Sequence, residues 1–272
     1  WRQRTRGDAP RDVLDIGCGN GALMDRLARD GHRCVGVEPD ARARSVAESR
    51  GLDVLEGTAE ALPDSLGTAR FDIVFMMHVL EHCLVPDAAL AQAAATLRPG
   101  GRLIVETPNN ACLGAEVHGA AWLWLDVPRH LNFFTPESLR GILAAAGLTP
   151  EATEFTGYQR QISRGWLADQ ARAAARLGAP DRNGALRQVP NLARSFAAPA
   201  RRKYDSVRVL ARRAEGAAAA MAFATAWRGL IDRGELDIGD ACVVQGGTGG
   251  VGHAAVQIAA RAGATVVATA SG

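Results

Sequence analysis

Between residues 8 and 147, short β-branched runs alternate with longer amphipathic runs, and this alternation constrains the fold more than any other feature. The runs at 11–17 (RDVLDIG), 33–38 (RCVGVE), 53–57 (DVLEG), 71–77 (FDIVFMM) and 102–107 (RLIVET) predict buried strands. The intervening runs at 21–31, 41–51 and 87–101 predict helices, each closed by a glycine. Such alternation implies a doubly wound α/β fold, with a mostly parallel sheet, right-handed crossovers and helices on both faces. Ligands on these sheets bind beyond the carboxyl ends of the strands, where the strand order reverses. A further helix is predicted over 134–148, with Thr135 as N-cap, Pro136 at the first helical position and Gly147 as the stop. A strand at 149–156 follows it.

Composition sets bounds on the rest. The 272 residues include 47% hydrophobic and 22% charged side chains, ordinary for a globular protein, and exclude a disordered tail or a collagen-like repeat. Aromatics are only 5%, so the core is aliphatic. The net charge of +2 does not by itself argue for nucleic acid. Five scattered cysteines without zinc-ribbon or C-x-x-C spacing predict reduced thiols and a cytoplasmic protein. No apolar run reaches the ~20 residues of a membrane span, and no signal peptide is evident. Both ends look cut, so a fragment of a longer chain is expected.

Three segments are expected: a core over 8–156, a basic Ala/Arg-rich insertion or linker over 157–216, and a partial β-α-β unit over 217–272. From Arg160 to Arg213 there are 13 Lys+Arg against 3 acidic residues. A solvated insertion accounts for that charge better than a nucleic-acid surface, because no aromatics interleave it for base stacking. Within it, SVRVLARR (206–213) suits a last strand of the first sheet.

The chemistry concentrates at VLDIGCGNG (13–21), where a strand ending near Asp15 enters a helix through Gly17, Gly19 and Gly21, with Cys18 and Asn20 between them. Glycines suit backbone that bends sharply and meets a ligand without a Cβ in the way. Glu38 closes the second strand in VGVEPD, beside Pro39, where a carboxylate can accept both ribose hydroxyls of an adenosine ligand. Thr58, Ala59 and Glu60 follow the third strand. The fourth exits into His78, Glu81 and His82, and LRPGG (97–101) precedes the fifth.

This ordered set resembles the class I S-adenosylmethionine-dependent methyltransferases over 8–156, with 206–213 as a possible closing strand. VLEHCLVPDAAL (79–90), ETPN (106–109) and DVPRHLNFFTPESLRGILAAAGL (126–148) resemble the ubiquinone-biosynthesis O-methyltransferase branch. The resemblance implies S-adenosyl-L-methionine as cofactor and methyl transfer to a small-molecule acceptor, with O-methylation expected. It implies that Asp15 and the glycine loop hold the methionine part, that Glu38 binds the ribose, and that Thr58–Glu60 frame the adenine. An oxygen acceptor must lose a proton, which favours a nearby base. His78, at the end of strand four beside the expected methyl position, and His130, in the PRHLNFF loop, are the catalytic candidates. His82 is a weaker one, and Asp126, Arg129 and Trp122–Trp124 can shape the acceptor pocket. The ubiquinone-type relatives use a divalent ion near an E-x-x-E-H pattern. Here His78 replaces the first Glu, so no metal is expected, and Glu81 and His82 are the pair from which a site would be built.

A second glycine loop, VVQGGTGGVGHAAVQIAARAGATVVATASG (243–272), follows strand–loop–helix–strand order. With 225–240 it resembles zinc-independent quinone oxidoreductases of the medium-chain dehydrogenase/reductase superfamily. That resemblance implies a nicotinamide pyrophosphate at Gly247, Gly250 and Gly252. With no acidic residue closing the second strand, it tilts towards NADP. Most of such an enzyme is missing, so a β-α-β remnant is expected. The alternatives to methyl transfer are an NADP-dependent quinone oxidoreductase-like activity or nucleotide binding from this unit, and a non-catalytic binding module built on the basic stretch.

Overall fold

The computed structural model describes residues 9–157, 164–179, 193–194, 196–214, 241–245, 259 and 265–269. The chain divides into two compact units, Trp1–Arg212 and Arg213–Gly272.

In the first unit the elements run β1 (Asp12–Ile16), α1 (Ala22–Arg29), β2 (Arg33–Val37), α2 (Ala41–Glu48), β3 (Asp53–Leu55), β4 (Phe71–Met77), α3 (Pro86–Thr96), β5 (Leu97–Pro108), α4 (Leu113–His118), α5 (Pro136–Ala145), β6 (Leu148–Thr156), α6 (Arg164–Arg176), α7 (Ala200–Lys203) and β7 (Ser206–Arg213). The seven strands form one sheet in the order β3-β2-β1-β4-β5-β7-β6. The pairings from β3 across to β5 are parallel, and β7 runs antiparallel to β5. Helices on both faces leave the central strands dry. Val13, Leu14, Ile16, Val74, Met76, Leu103 and Val105 are fully buried, which is why these strands read as continuous apolar runs rather than alternating ones. The strand order reverses between β1 and β4, so a crevice opens where their carboxyl ends part.

Local chemistry explains the helix ends. The Asp40 carboxylate accepts from the backbone N–H groups of Arg42 and Ala43 and starts α2. Thr135 caps α5 as the sequence predicts, and Ser138 returns a reciprocal bond. The helix predicted over 87–101 stops earlier, at Thr96. Pro99 disfavours helical backbone at Arg98, so Leu97 already turns extended and begins β5. The register between β4 and β5 shifts there, between Phe71↔Leu97 and Ile73↔Arg102.

In the second unit, β8 (Ala241–Gln245) pairs in parallel with β9 (Thr265–Thr269). Residues 215–240 and the second glycine loop, with Gly247, Gly250 and Gly252, lie outside the described residues. Among the described residues no helix is long and apolar enough to cross a membrane.

Candidate active site

The turn after β1 is built from its glycines. Gly17 has φ +70, and its N–H donates to the Val37 carbonyl at 2.7 Å, tying the turn to the end of β2. A Cβ on Gly17 would lie 2.4 Å from Val79 Cγ2, and one on Gly21 would lie 2.3 Å from Leu52 Cδ1. Gly19, at φ +55, differs: a Cβ there would meet nothing within 4 Å. Two glycines therefore permit packing, while the middle one presents bare backbone to open space.

Glu38 locks this turn from below. Its Oε2 accepts from the Gly19 N–H at 2.8 Å and its Oε1 from the Asp40 N–H at 2.9 Å. A carboxylate has about four acceptor positions, so it keeps capacity for ligand hydroxyls. Asp15 is 3% exposed, and burial, with the Glu38 charge adding to it, pushes its carboxyl up to about 7.

A cleft of about 470 Å³ opens at the strand-order reversal. It is lined by Gly17, Glu38 and Pro39 from the first two loops, by Thr58, Ala59 and Glu60 from the third, and by His78 from the fourth. Gly57, Val79, Cys83, His82 and Arg129 complete the wall. The Thr58 turn is held by its Oγ1 accepting from the Ala61 N–H at 3.1 Å. Glu60 Oε1 accepts from the Val85 N–H at 2.8 Å, linking this loop to the one after β4.

The other loop residues singled out in the sequence, Asp15, Cys18, Gly19, Asn20 and Gly21, are not among the residues that line the cleft. Cys18 turns into the core, where its Sγ is close to Gly36, and burial pushes its thiol up to about 12. Asn20 is exposed and accepts from the Ala22 N–H at the start of α1. Gly21 packs against α2 through Ala47.

The histidines fall into two groups. His78 stands at φ +56, a conformation costly for a residue with a Cβ. Its Nδ1 meets Glu81 Oε1 at 3.1 Å and its Nε2 meets Glu106 Oε1 at 3.3 Å. An acceptor-only carboxylate at each nitrogen calls for an N–H on both. Burial pulls the His78 pKa down, but the bonds to Glu106 and Glu81 outweigh it and raise the pKa to about 9. Glu106 is in turn gripped by Arg208 of β7, with Nη2 to Oε2 at 2.6 Å, and by the Thr156 hydroxyl at 3.1 Å. Burial raises the Glu106 pKa, yet His78 and Arg208 overcome it and hold the carboxyl down at about 2.

The second group is His82 and His130, whose ring centroids lie 4.7 Å apart, edge to face. His82 Nδ1 meets the Arg129 carbonyl at 2.9 Å and His130 Nδ1 meets the Trp124 carbonyl at 2.8 Å. A carbonyl only accepts, so Nδ1 carries the proton in both rings and Nε2 keeps the lone pair when the ring is neutral. Glu81, 1% exposed, completes the cluster: its Oε2 is buried without a hydrogen-bond partner.

Glu106 and Arg208 are the functional-site neighbours that the sequence reading misses. Glu106 sat in the noted ETPN motif but read as strand, and Arg208 read as one of many solvated arginines. His130 is recognisable from its loop, but its pairing with His82 is not.

A family model described as a methyltransferase domain matches residues 1–153. This chain belongs to that family. Its methyltransferase relatives include the ubiquinone biosynthesis O-methyltransferase of Cereibacter sphaeroides, 37% identical over 150 residues, 51% of this chain and 60% of that protein. The same-named protein of Ralstonia nicotianae is 35% identical over 178 residues, 60% of this chain and 74% of that protein. The chain thus spans about three fifths of the length of the first curated relatives it matches. In fold it is similar to a SAM-dependent methyltransferase from Archaeoglobus fulgidus, with TM-score 0.55 and 19% identity over 78% of this chain and 90% of that one. A SAM-dependent methyltransferase from Thermotoga maritima gives TM-score 0.51 and 21% identity over 76% and 84% of the two chains. The family model stops before the second unit, and these relatives give the oxidoreductase resemblance of 217–272 no support.

Proposed function

We propose that the chain catalyses S-adenosylmethionine-dependent methyl transfer to an oxygen of a small-molecule acceptor. One observation carries this reading: a buried carboxylate, Glu38, braces a glycine turn whose middle residue faces open space, at the strand-order reversal of the sheet. That arrangement suits the ribose and the amino-acid end of an adenosyl ligand, and the cleft volume suits a ligand of that size. When bound, S-adenosylmethionine supplies a methyl group already activated on a sulfonium. The chain's task is then to align an acceptor and keep water out.

Glu38 and Asp15 place two acidic groups by the glycine turn, suited to a cationic ligand with ribose hydroxyls. Pro39 and Thr58–Glu60 wall the adenine side. His78 has both ring nitrogens committed to carboxylates, so it orients the end of β4 rather than taking a proton. Acceptor activation is assigned to the His82–His130 pair, whose lone-pair nitrogens are set by the backbone carbonyls behind them. The O-methyltransferase names of the relatives support oxygen as the receiving atom. Cys18, Cys34, Cys83 and Cys112 are free thiols, which supports a reducing compartment, and the cytoplasm is the proposed location.

Calorimetric titration with S-adenosylhomocysteine tests the reading. Binding at one site per chain is expected, and Glu38→Ala should weaken it at least about tenfold, since hydrogen bonds to a charged group are lost. Absence of binding to either the methylated or the demethylated cofactor, in protein with a cooperative melt, overturns it.

A further inference from the structure

We propose that Arg44 is a positioning residue of the cofactor site: its guanidinium clamps the loop carrying Glu38 to the loop carrying Thr58 and so sets the Glu38 carboxylate for the ribose hydroxyls. The inference rests on the reading of Glu38 as the ribose acceptor and extends it to a residue behind the cleft wall.

The β2–β3 ladder ends at Val37↔Leu55. One last backbone bond follows, from the Glu38 N–H to the Leu55 carbonyl at 3.0 Å. Beyond it the strands give way to two cleft loops, and the link between them is a side chain. Arg44, in the first turn of α2, points back towards the start of its own helix, the direction that helical side chains favour. Its Nη1 donates to the Glu38 carbonyl at 2.8 Å and to the Pro39 carbonyl at 2.9 Å. Its Nη2 donates to Glu56 Oε2 at 2.9 Å. Glu56 directly precedes Gly57 and Thr58, which line the cleft together with Glu38 and Pro39.

Burial separates this contact from an ordinary surface ion pair. The Arg44 side chain is 13% exposed, whereas that of Glu56 is 77% exposed. A carboxylate so well solvated contributes little to holding a cation. A guanidinium withdrawn from water needs its N–H groups satisfied, and the two backbone carbonyls supply most of that. The fork shape is essential, because one nitrogen serves two successive carbonyls while the other reaches the next loop. A lysine ammonium is a single centre and cannot span both.

The consequence falls on Glu38. Its carboxylate is held by the Gly19 and Asp40 N–H groups, and its own N–H by Leu55. Arg44 fixes the remaining polar group, the carbonyl, so the whole residue is set before a ligand arrives. An acceptor prepared in this way saves the cost of ordering it on binding. A displacement of about 0.5 Å is enough to spoil a short charge-assisted bond. Loss of Arg44 therefore weakens recognition of the ribose hydroxyls rather than of the ligand as a whole.

Titration calorimetry on the full chain, with S-adenosylhomocysteine and its 2′-deoxy analogue, tests this. The wild type should prefer the ribose form at least about tenfold, the worth of a hydrogen bond to a charged acceptor. Arg44→Met keeps the apolar stem but not the fork. It should weaken S-adenosylhomocysteine severalfold and the deoxy analogue by less than about twofold, so that the preference falls below about threefold. Arg44→Lys, which reaches one loop but not both, should show an intermediate preference, and it decides the matter if Arg44→Met does not melt cooperatively. Equal weakening of both ligands, with the wild-type preference intact, marks a merely structural role and overturns the proposal. A wild type that binds S-adenosylhomocysteine without preferring the ribose form also overturns it, while leaving the cofactor assignment standing. A wild type that binds neither ligand overturns the methyltransferase reading itself and this inference with it.

Discussion

Asp15 shows how far the fold can move one side chain's chemistry. Its carboxyl is ordinary in the unfolded chain, near 3.8, and is pushed up to about 7 in the native state by burial first and by Glu38 second. Between these values the native protein holds a proton that the unfolded chain has released. Stability contributed by the neutral group is therefore full below pH 4 and lost as pH rises through 7. Asp15→Asn keeps a neutral polar group at all pH. The variant should match the wild type near pH 4 and become more stable than it by a few kcal/mol above pH 7. Urea melts of both proteins across that range check this, and a wild-type-to-variant difference that does not change with pH would show that Asp15 ionises normally. Persistence of so unfavourable a carboxylate makes sense if a cation compensates it, which fits a sulfonium or an ammonium in the proposed site.

Among the elements, the turn between β1 and α1 separates packing from binding. The three glycines are equal as letters, but their surroundings differ. Gly17→Ala places a methyl 2.4 Å from Val79 Cγ2 on backbone at φ +70, and should cost about 3 kcal/mol from overpacking and left-handed strain. Gly19→Ala adds only the strain, about 1 kcal/mol, because a Cβ there meets open space. On the proposed reading the ligand crosses the turn at Gly19, so Gly19→Ala should weaken S-adenosylhomocysteine binding while still melting cooperatively. Thermal melts paired with titration calorimetry distinguish the two. If Gly19→Ala binds as the wild type does, the ligand does not pass over this residue.

The sequence makes this element legible because spacing and strand context are local properties. It does not reveal which glycine faces the ligand, since Val79 and Leu52 arrive from distant parts of the chain. The early end of α3 is a different kind of miss. The apolar pattern continues through Leu97, but Pro99 acts backwards on Arg98, and only the backbone restriction decides the boundary.

For the whole molecule, β7 decides what counts as the first unit. Its pattern SVRVLARR suggests a strand from sequence alone, yet its place does not follow from order along the chain. It enters antiparallel between β5 and β6, in register from Arg102↔Arg212 to Pro108↔Ser206. Through that insertion Arg208 reaches Glu106, and Glu106 reaches His78, so a residue from the basic stretch braces the fourth-strand loop. Nothing local in the sequence marks that arginine among its neighbours. A chain cut after Thr156 keeps the glycine turn, Glu38, His78 and His130, but exposes the edge of β5 and leaves β6 without its neighbour. It should be aggregation-prone and bind S-adenosylhomocysteine poorly. A chain cut after Arg213 retains all seven strands and should bind the ligand as the full chain does, within about twofold, with a single cooperative melt. Calorimetry on the two truncations reads the difference. Equal binding by both would mean that the β7 insertion is dispensable to the cleft, and that the Arg208–Glu106–His78 chain does not hold the site together.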